Sequence, residues 1–473
     1  MRHSLTIRAR VPGIRQFRRG KVLCRAKGTK ERTLRPRWLQ FLATLLALAG
    51  ECGAAELSAT NAPVATLPGW HWHGQTTVIG QGYPSFDAAY SGANSLPAGG
   101  RIRETISLDV IVGARLWRGA EAYLDGMMWQ GFGLGNTHGV AGFPNGEGFR
   151  LGAAEPNVTL ARAFVRQTIG LGGAMETVAD GDFNFAGTRD TTRLTFPAGK
   201  FSPKDIFDLN SYANDPRTQF LNWSLMANGA WDFPADALGY VPGAALEFNT
   251  GDWAARYGLF AVPRVANGMA IEFAPERAWS MVGELEHRHK FGDRAGAVRL
   301  LGFATRAHMG SYDAALAAPG ADLEATRANR HKFGVGLNLE QELTRDLGAF
   351  LRAGWNDGRN ETWMFTEIDH TLSLGLSLKG AGWKRPGDTL AGALVLNDLS
   401  GPHRRFLAAG GSGIIIGDGA LRAAAEQVLE IYYDCRLTSW LHGTLDYQFV
   451  NHPAYNRDRG PVSLVALRLR ANF

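Results

Sequence analysis

Apolar and polar residues alternate in twos along most of this chain. In HKFGVGLNLEQEL, Phe333, Val335, Leu337, Leu339 and Leu343 share one face, and Lys332, Asn338, Glu340 and Glu342 the other. In FTEIDHTLSLGLSLKG the apolar set is Ile368, Leu372, Leu374, Leu376 and Leu378, against Glu367, Asp369, Thr371, Ser373, Gly375 and Ser377. ETISLDVIVGARLW sets Ile106, Leu108, Val110, Val112, Ala114 and Leu116 against Thr105, Ser107, Asp109 and Arg115. VSLVALRLRANF repeats it, with Val465, Leu467, Leu469, Ala471 and Phe473 on one side and Leu464, Ala466, Arg468, Arg470 and Asn472 on the other. A period of two belongs to a β-strand, whose successive side chains leave opposite faces. Strands are predicted near 103–117, 120–131, 158–171, 190–200, 219–232, 242–250, 254–263 and 278–290. A second set is predicted near 296–307, 330–343, 347–356, 364–379, 387–397, 425–437, 439–449 and 461–473.

What lies on each face separates two kinds of β-protein. A soluble sandwich packs its apolar faces together and turns its polar ones to water. Here the apolar face is uniform Leu, Val, Ile and Ala, and the polar face is rich in Gly, Asn, Glu, Asp and Arg. That arrangement suits lipid outside and water inside. The segments are long as well: a strand crossing lipid needs ~9–11 residues, against ~5–6 in soluble sheets. Short turns such as RGAE and RDLG alternate with longer polar stretches such as GSYDAALAAPGADLEATRANR, the two-rim pattern of an outer-membrane barrel. No fixed sequence period points to a β-helix or propeller. In lipid every backbone N–H and C=O needs a protein partner, so the sheet must close, its last strand pairing with its first. The expectation is an all-β protein, a closed transmembrane antiparallel β-barrel of about 16 strands.

Composition adds a leader. The formal charge of +6 would suggest nucleic acid or anionic lipid, but residues 1–55 hold 13 Lys and Arg against 2 Asp and Glu. Of 50 basic and 44 acidic residues, the remainder keeps 37 and 42, a net of −5. A basic region to residue 37, the apolar WLQFLATLLALAG (38–50) and the small run Gly53-Ala54-Ala55 read as a signal peptide over 1–55. Its basic region is long, which an over-extended start codon would explain. Residues 56–100 are expected as an N-terminal segment, periplasmic or lying in the lumen, and 101–473 as the outer-membrane barrel. Cys24 and Cys52 fall in the leader and Cys435 stands alone, so neither an intramolecular disulfide nor a cysteine zinc site is expected.

Ordered blocks over nearly all of the mature sequence then resemble the carbohydrate-selective porins of the OprB family. HGQTTVIGQGYPSFDAAYSGANSL (73–96) resembles the family's opening segment and precedes RETISLDVIVGARLWRGAEAYLD. THGVAGFPNGEGFRLG (137–152), ARAFVRQTIGLGG (161–173) and AGKFSPKDIFDLNSYANDPRTQFLNWSL (198–225) follow. AGWNDGRNETWMFTEID (353–369), HRRFLAAGGSGIIIGDG (403–419) and DYQFVNHPAYNRDRGPV (446–462) complete the series. One departure is DGMMWQ after EAYL, where the family usually has an Asn-Pro-Glu-like stretch. The resemblance implies a passive outer-membrane channel for monosaccharides and similar small polar solutes, with no catalysis and no cofactor. It also implies a partner in the barrel-assembly machinery, through a last strand ending in Phe473. A homotrimer and a monomer both stay open. So do a general or anion-preferring porin and, from another class, a secreted β-fold carbohydrate-active enzyme.

Candidate solute contacts concentrate where the alternation breaks. GKFSPKDIFDLNSYANDPRTQFLNW carries Lys200, Asp205, Asp208, Asn210, Tyr212, Asp215, Arg217, Gln219 and Asn222, and its length suits a constriction loop folded into the bore. Mixed carboxylates, guanidinium and amides can exchange hydrogen bonds with a sugar without holding it tightly. Asp208, Asp215 and Arg217 could equally pin the loop to the wall. Inward parity puts Arg162 and Arg166 on one wall, Glu367 and Asp369 on another strand, and Arg352 near them in sequence. These would set up a transverse field, unless they pair with neighbours. In WHWHG (70–74), His71 and His73 could share a face, but no third ligand is evident, and interface-seeking Trp70 and Trp72 explain the composition. No metal site is expected there. GGSGIIIGDG lacks the Lys-Ser/Thr of a phosphate loop, and Glu367 with Asp369 is too generic a pair for a glycosidase.

Overall fold

The computed structural model describes residues 69–473 apart from 151, 319 and 321. The chain opens with β1 (Trp70–Ser85), β2 (Gly99–Trp117), β3 (Ala120–Gly131) and β4 (Ala153–Gly170). A small hairpin, β5 (Met175–Val178) and β6 (Gly187–Asp190), interrupts before β7 (Arg193–Phe201), β8 (Val241–Asn249) and β9 (Trp253–Phe260). The short pair β10 (Val262–Pro263) and β11 (Ile271–Glu272) precedes β12 (Trp279–Phe291), β13 (Arg294–Met309), β14 (Ala328–Glu342) and β15 (Leu347–Asn356). Then come β16 (His370–Lys379), β17 (Thr389–Asp398), β18 (Glu426–Arg436), β19 (Leu441–Asn451) and β20 (Val462–Asn472). With the two small hairpins set aside, 16 strands form one closed barrel, each antiparallel to its neighbours.

The seam shows why closure is favourable. β1 runs antiparallel to β20 with Thr76 opposite Ala471, Val78 opposite Leu469 and Gly80 opposite Leu467. Gly74 and Phe473 exchange both backbone hydrogen bonds, at 2.8 and 2.9 Å. The Phe473 ring lies so close over Gly74 that a Cβ there would sit 2.4 Å from it, so glycine at this position lets the ring lie against β1. No sheet edge is left to face lipid. The parity of β20 is as the alternation predicts: Val465, Leu467 and Leu469 are exposed on the outer surface, while Leu464, Ala466 and Arg468 are buried inside. Phe333 and Val335 on β14 and Leu372, Leu374 and Leu376 on β16 also face outward.

The rims differ. Two-residue to nine-residue turns join strands at one rim, and connections of ten or more at the other, with 171–192 as the long exception on the short-turn side. Trp70, Trp72, Trp117, Trp253, Phe291, Trp440 and Phe473 are all exposed at the short-turn rim, an aromatic belt for a membrane interface. In outer-membrane barrels short turns face the periplasm.

Three expectations are corrected. The barrel begins at Trp70, so 70–85 of the segment 56–100 is a wall strand and not an extension; residues 1–68, and with them the signal peptide, lie outside the described residues. β1 escaped notice because its outward positions include Gly74, Thr76, Gly80 and Gly82, which blur the apolar period. The strand expected at 219–232 is a loop inside the barrel. Asn222 accepts a hydrogen bond from the Ser224 amide and starts a one-turn helix, Trp223–Met226, as N-cap residues do. Its alternation reflects burial of Phe220, Leu221, Trp223 and Leu225 in the bore. Finally, residues 364–369 belong to a loop, and Ile368 is buried instead of facing lipid. One strand missed and one strand too many left the number right for the wrong reason.

The bore is also less wet than its polar strand faces predict. Inward-folded loops carry an apolar cluster that includes Phe143, Phe207, Trp223, Trp231, Phe233 and Ile416. Water therefore keeps only the space these loops leave.

Candidate channel constriction

Connection 202–240, between β7 and β8, folds into the bore and is held by Asp208. Its Oδ1 accepts from Arg352 Nε at 3.0 Å and Asn338 Nδ2 at 2.7 Å, and its Oδ2 from the Asn228 amide at 2.8 Å. Arg352 and Asp208 are both buried. Burial alone would raise the Asp208 carboxyl; Arg352 and Lys204 outweigh it and hold it below the usual range. For Lys204, 3.3 Å from Asp208 Oδ2, burial wins and lowers the ammonium to about 8. Asn210 donates to Asn338 Oδ1 at 2.8 Å and Asn222 to the Gly142 carbonyl at 2.7 Å. Gln219 Oε1 accepts the Asn214 amide at 2.6 Å, and Asp215 accepts the Arg217 amide at 2.9 Å. Buried wall carboxylates complete the attachment: Glu430 receives the Leu221 and Asn222 amides.

Between this loop, connection 132–152 and the wall made by β1 to β4 lies a cavity of about 270 Å³. Two arginines cross it. Arg162, on β4, makes a two-pronged contact with Asp205 of the loop, both bonds 2.8 Å, and a third with Asp125 of β3 at 2.7 Å. Its guanidinium lies 4.7 Å over the Phe183 ring and 4.9 Å over Tyr240. Arg217, on the loop, reaches Asp109 of β2 and Glu147, each at 2.9 Å. Those two carboxylates outweigh its burial and raise its proton affinity further, so the guanidinium stays charged at any working pH. Phe143, Trp223, Phe233 and Phe365 supply ring faces, Phe143 and Trp223 stacked at 4.8 Å. The lining holds six carboxylates (Asp109, Asp125, Glu147, Asp182, Asp205, Asp215) and five cations (Arg150, Arg162, Lys204, Arg217, Arg470). Their charges nearly cancel.

Of the residues expected here, Arg162, Asp205, Asp215 and Arg217 line this cavity. Arg166 lines a second cavity of about 870 Å³ toward the short-turn rim, where it bonds Glu121 and the Phe183 carbonyl. Tyr212 and Gln219 border a third, of about 520 Å³. Lys200 is on β7 and turns to Asp236 at 3.4 Å and the Leu160 carbonyl. Asp208, Asn210, Asn222 and Arg352 are buried pins.

Glu367 and Asp369 are not on a wall strand. Glu367 accepts the Ile415 and Ile416 amides at 2.7 and 2.9 Å, and Asp369 pairs with His403 at 3.0 Å. The expected transverse field is thereby corrected: Arg162, Arg166 and Arg352 each pair with adjacent carboxylates, and Glu367 and Asp369 do not face them from a wall strand. Lys204, Gln75, Asp125, Glu147, Tyr240 and Arg470 line the cavity too, outside the set the sequence leads one to expect. For Asp125 the signal was inward parity on β3, in the DGMMWQ stretch where the family pattern is broken.

The carbohydrate-selective porin, OprB family, profile matches residues 93–473. The high-pH structure of Pseudomonas putida OprB is 16% identical over 86% of this chain and 94% of its own, with a TM-score of 0.64. The low-pH structure of the same protein gives 13% identity, coverage of 94% and 100%, and a TM-score of 0.47. The outer-membrane channel DcaP of Acinetobacter baumannii gives 10%, 85%, 97% and 0.46 respectively. No curated protein sequence matches the chain. The family profile covers the loops that build the constriction and every barrel strand but β1, and the chain belongs to the carbohydrate-selective porin, OprB family, outer-membrane channels for sugar diffusion.

Proposed function

We propose that monosaccharides and similar small polar solutes cross through the cavity between Arg162 and Arg217, and that these bridges with the nearby rings select for neutral sugars. The observation that carries this reading is the near balance of six carboxylates and five cations beside aromatic faces. Hydroxyls can exchange hydrogen bonds with either sign of charge, a sugar's C–H face can slide over a ring, and a net ion gains little. Lys204, Asp205 and Asp215 take part from the loop, with Gln75, Glu147 and Arg470 opposite.

A second reading has its own support. The 870 Å³ vestibule is lined by eight cations and four carboxylates, among them Arg115, Arg118, Arg166, Arg256 and Arg288, which would draw anions toward the periplasmic mouth. Swelling of liposomes containing the purified channel separates the two. The sugar reading expects glucose to enter faster than a sugar acid of similar size. The reverse order would overturn it in favour of an anion-preferring porin.

Export by residues 1–55, insertion by the barrel-assembly machinery through the strand ending in Phe473, and assembly as a homotrimer remain part of this reading. The aromatic belt around Phe473 suits the second.

A further inference from the structure

Beside the short-turn rim, three side chains meet that line neither the constriction cavity nor the vestibule. His71 and His73 project inward from β1, two residues apart on one face, while Trp70 and Trp72 turn outward. Asp180 comes from the tip of the β5–β6 hairpin, which reaches back across the mouth from β4 to β1. His71 Nδ1 is 3.1 Å from Asp180 Oδ1, and His73 Nε2 is 3.0 Å from Asp180 Oδ2. The three donors lie within 4.8 Å of one another. Metal–nitrogen and metal–oxygen bonds of ~2.0–2.2 Å at a tetrahedral angle put neighbouring donors roughly 3.4 Å apart, a spacing this cluster reaches with small side-chain rotations.

The surroundings are built to keep this approach. The His71 ring stacks on Phe185 of the same hairpin, centroids 3.9 Å apart. It occupies space that only Gly113 on β2 leaves free, since a Cβ there would lie 2.3 Å from the ring. His73 Nε2, though 3.0 Å from the carboxylate, is not aligned as a hydrogen bond and has no hydrogen-bond partner among the described residues. The lone pair of a neutral imidazole is thus free to bind. Two imidazoles and one carboxylate favour a first-row divalent ion over calcium or magnesium, which prefer all-oxygen sites.

We propose that His71, His73 and Asp180 bind one divalent transition-metal ion, zinc-like in its preferences, which fastens the β5–β6 hairpin to the barrel wall at the periplasmic mouth. With three protein ligands the ion keeps one or two positions for water. The link to the pore is direct: Phe183 on the same hairpin underlies Arg162 at 4.7 Å, and its carbonyl accepts from Arg166 at 2.7 Å. The site goes beyond sugar passage and stands or falls apart from it.

The test uses the intact channel in detergent, stripped with chelator and titrated with zinc chloride by calorimetry, and with cobalt(II) by absorption. The proposal expects one equivalent per chain and cobalt bands of a four- or five-coordinate nitrogen–oxygen site. His73→Ala and Asp180→Ala should each weaken binding by about tenfold or more, since even loss of a residue that only supports a ligand costs that much. Asp180 lies in a loop, so its variant should keep heat-modifiable migration on gels and report on binding alone. Absence of saturable binding below about 1 mM, or unchanged affinity in the folded Asp180→Ala channel, would overturn the proposal.

Discussion

Asp208 shows how much one side chain can carry in a wet barrel. It is a loop residue, yet it gathers Arg352, Lys204, Asn338 and the Asn228 amide around one buried carboxylate. A buried pair of this kind adds less than its contacts suggest, because both ions have lost their water. Removing one partner is another matter, since the charge left behind stays buried and unpaired, at a cost of about 3–5 kcal/mol. Asp208→Ala strands Arg352, which has no exposure. The expected result is a lower melting temperature in detergent together with larger and noisier single-channel currents, as connection 202–240 loosens from the wall. Asp215→Ala, which removes turn bonds to the Arg217 amide and Thr218, should change conductance far less. Equal effects from the two would remove Asp208 from its anchoring role.

Loops are attached to the wall and to one another by one recurring device, a buried carboxylate that accepts backbone amides. Glu426 takes Ala141, Gly142 and Ala454; Asp232 takes Trp363, Met364 and Phe365; Glu367 takes Ile415 and Ile416. Asp369 joins connection 357–369 to the helix Gly401–Ala408 through Ser400 and His403. Burial would raise its carboxyl, but His403 and the Ser400 amide prevail and hold it at about 2. A carboxyl depressed by folding stabilises the fold fully above the ordinary range near pH 4, and that contribution fades as pH falls toward 2. The depression is worth ~2 kcal/mol. Asp369→Asn should therefore melt below the parent at pH 7 and converge with it near pH 2; a gap that ignores pH would refute the assignment.

The same device explains where reading the sequence stopped. Outward positions such as Leu372, Leu374 and Leu376 meet only lipid, so their identity alone reveals the strand. Glu367, with the correct parity and next to those leucines, looked like a wall residue because nothing local distinguishes a carboxylate facing water from one capping a loop about 48 positions away. Phe220 and Leu225 alternated like a strand while packing inside the bore. Asp180 could not be joined to His71 from sequence, since 109 positions and a three-strand reach separate them.

At the scale of the whole molecule, the barrel stands on a contrast between two surfaces that meet along every strand. β20 states the contrast in adjacent residues. Leu467 is exposed to the outside, whereas Arg468 is buried and donates to the Pro216 and Gln219 carbonyls at 2.7 Å each. Placing a charge at Leu467, near the middle of the strand and beside the β1 seam, would put it in hydrocarbon at a cost of ~2–4 kcal/mol. The loss falls on the strand that closes the seam with β1, where failure leaves two open edges and not a local defect. Leu467→Arg should thus reduce the heat-modifiable folded fraction in membranes and raise the unfolded band. Leu467→Val, which keeps an apolar outer position, should assemble like the parent. If both variants fold equally well in lipid, Leu467 does not face the bilayer, and the outward parity assigned to β20 is wrong.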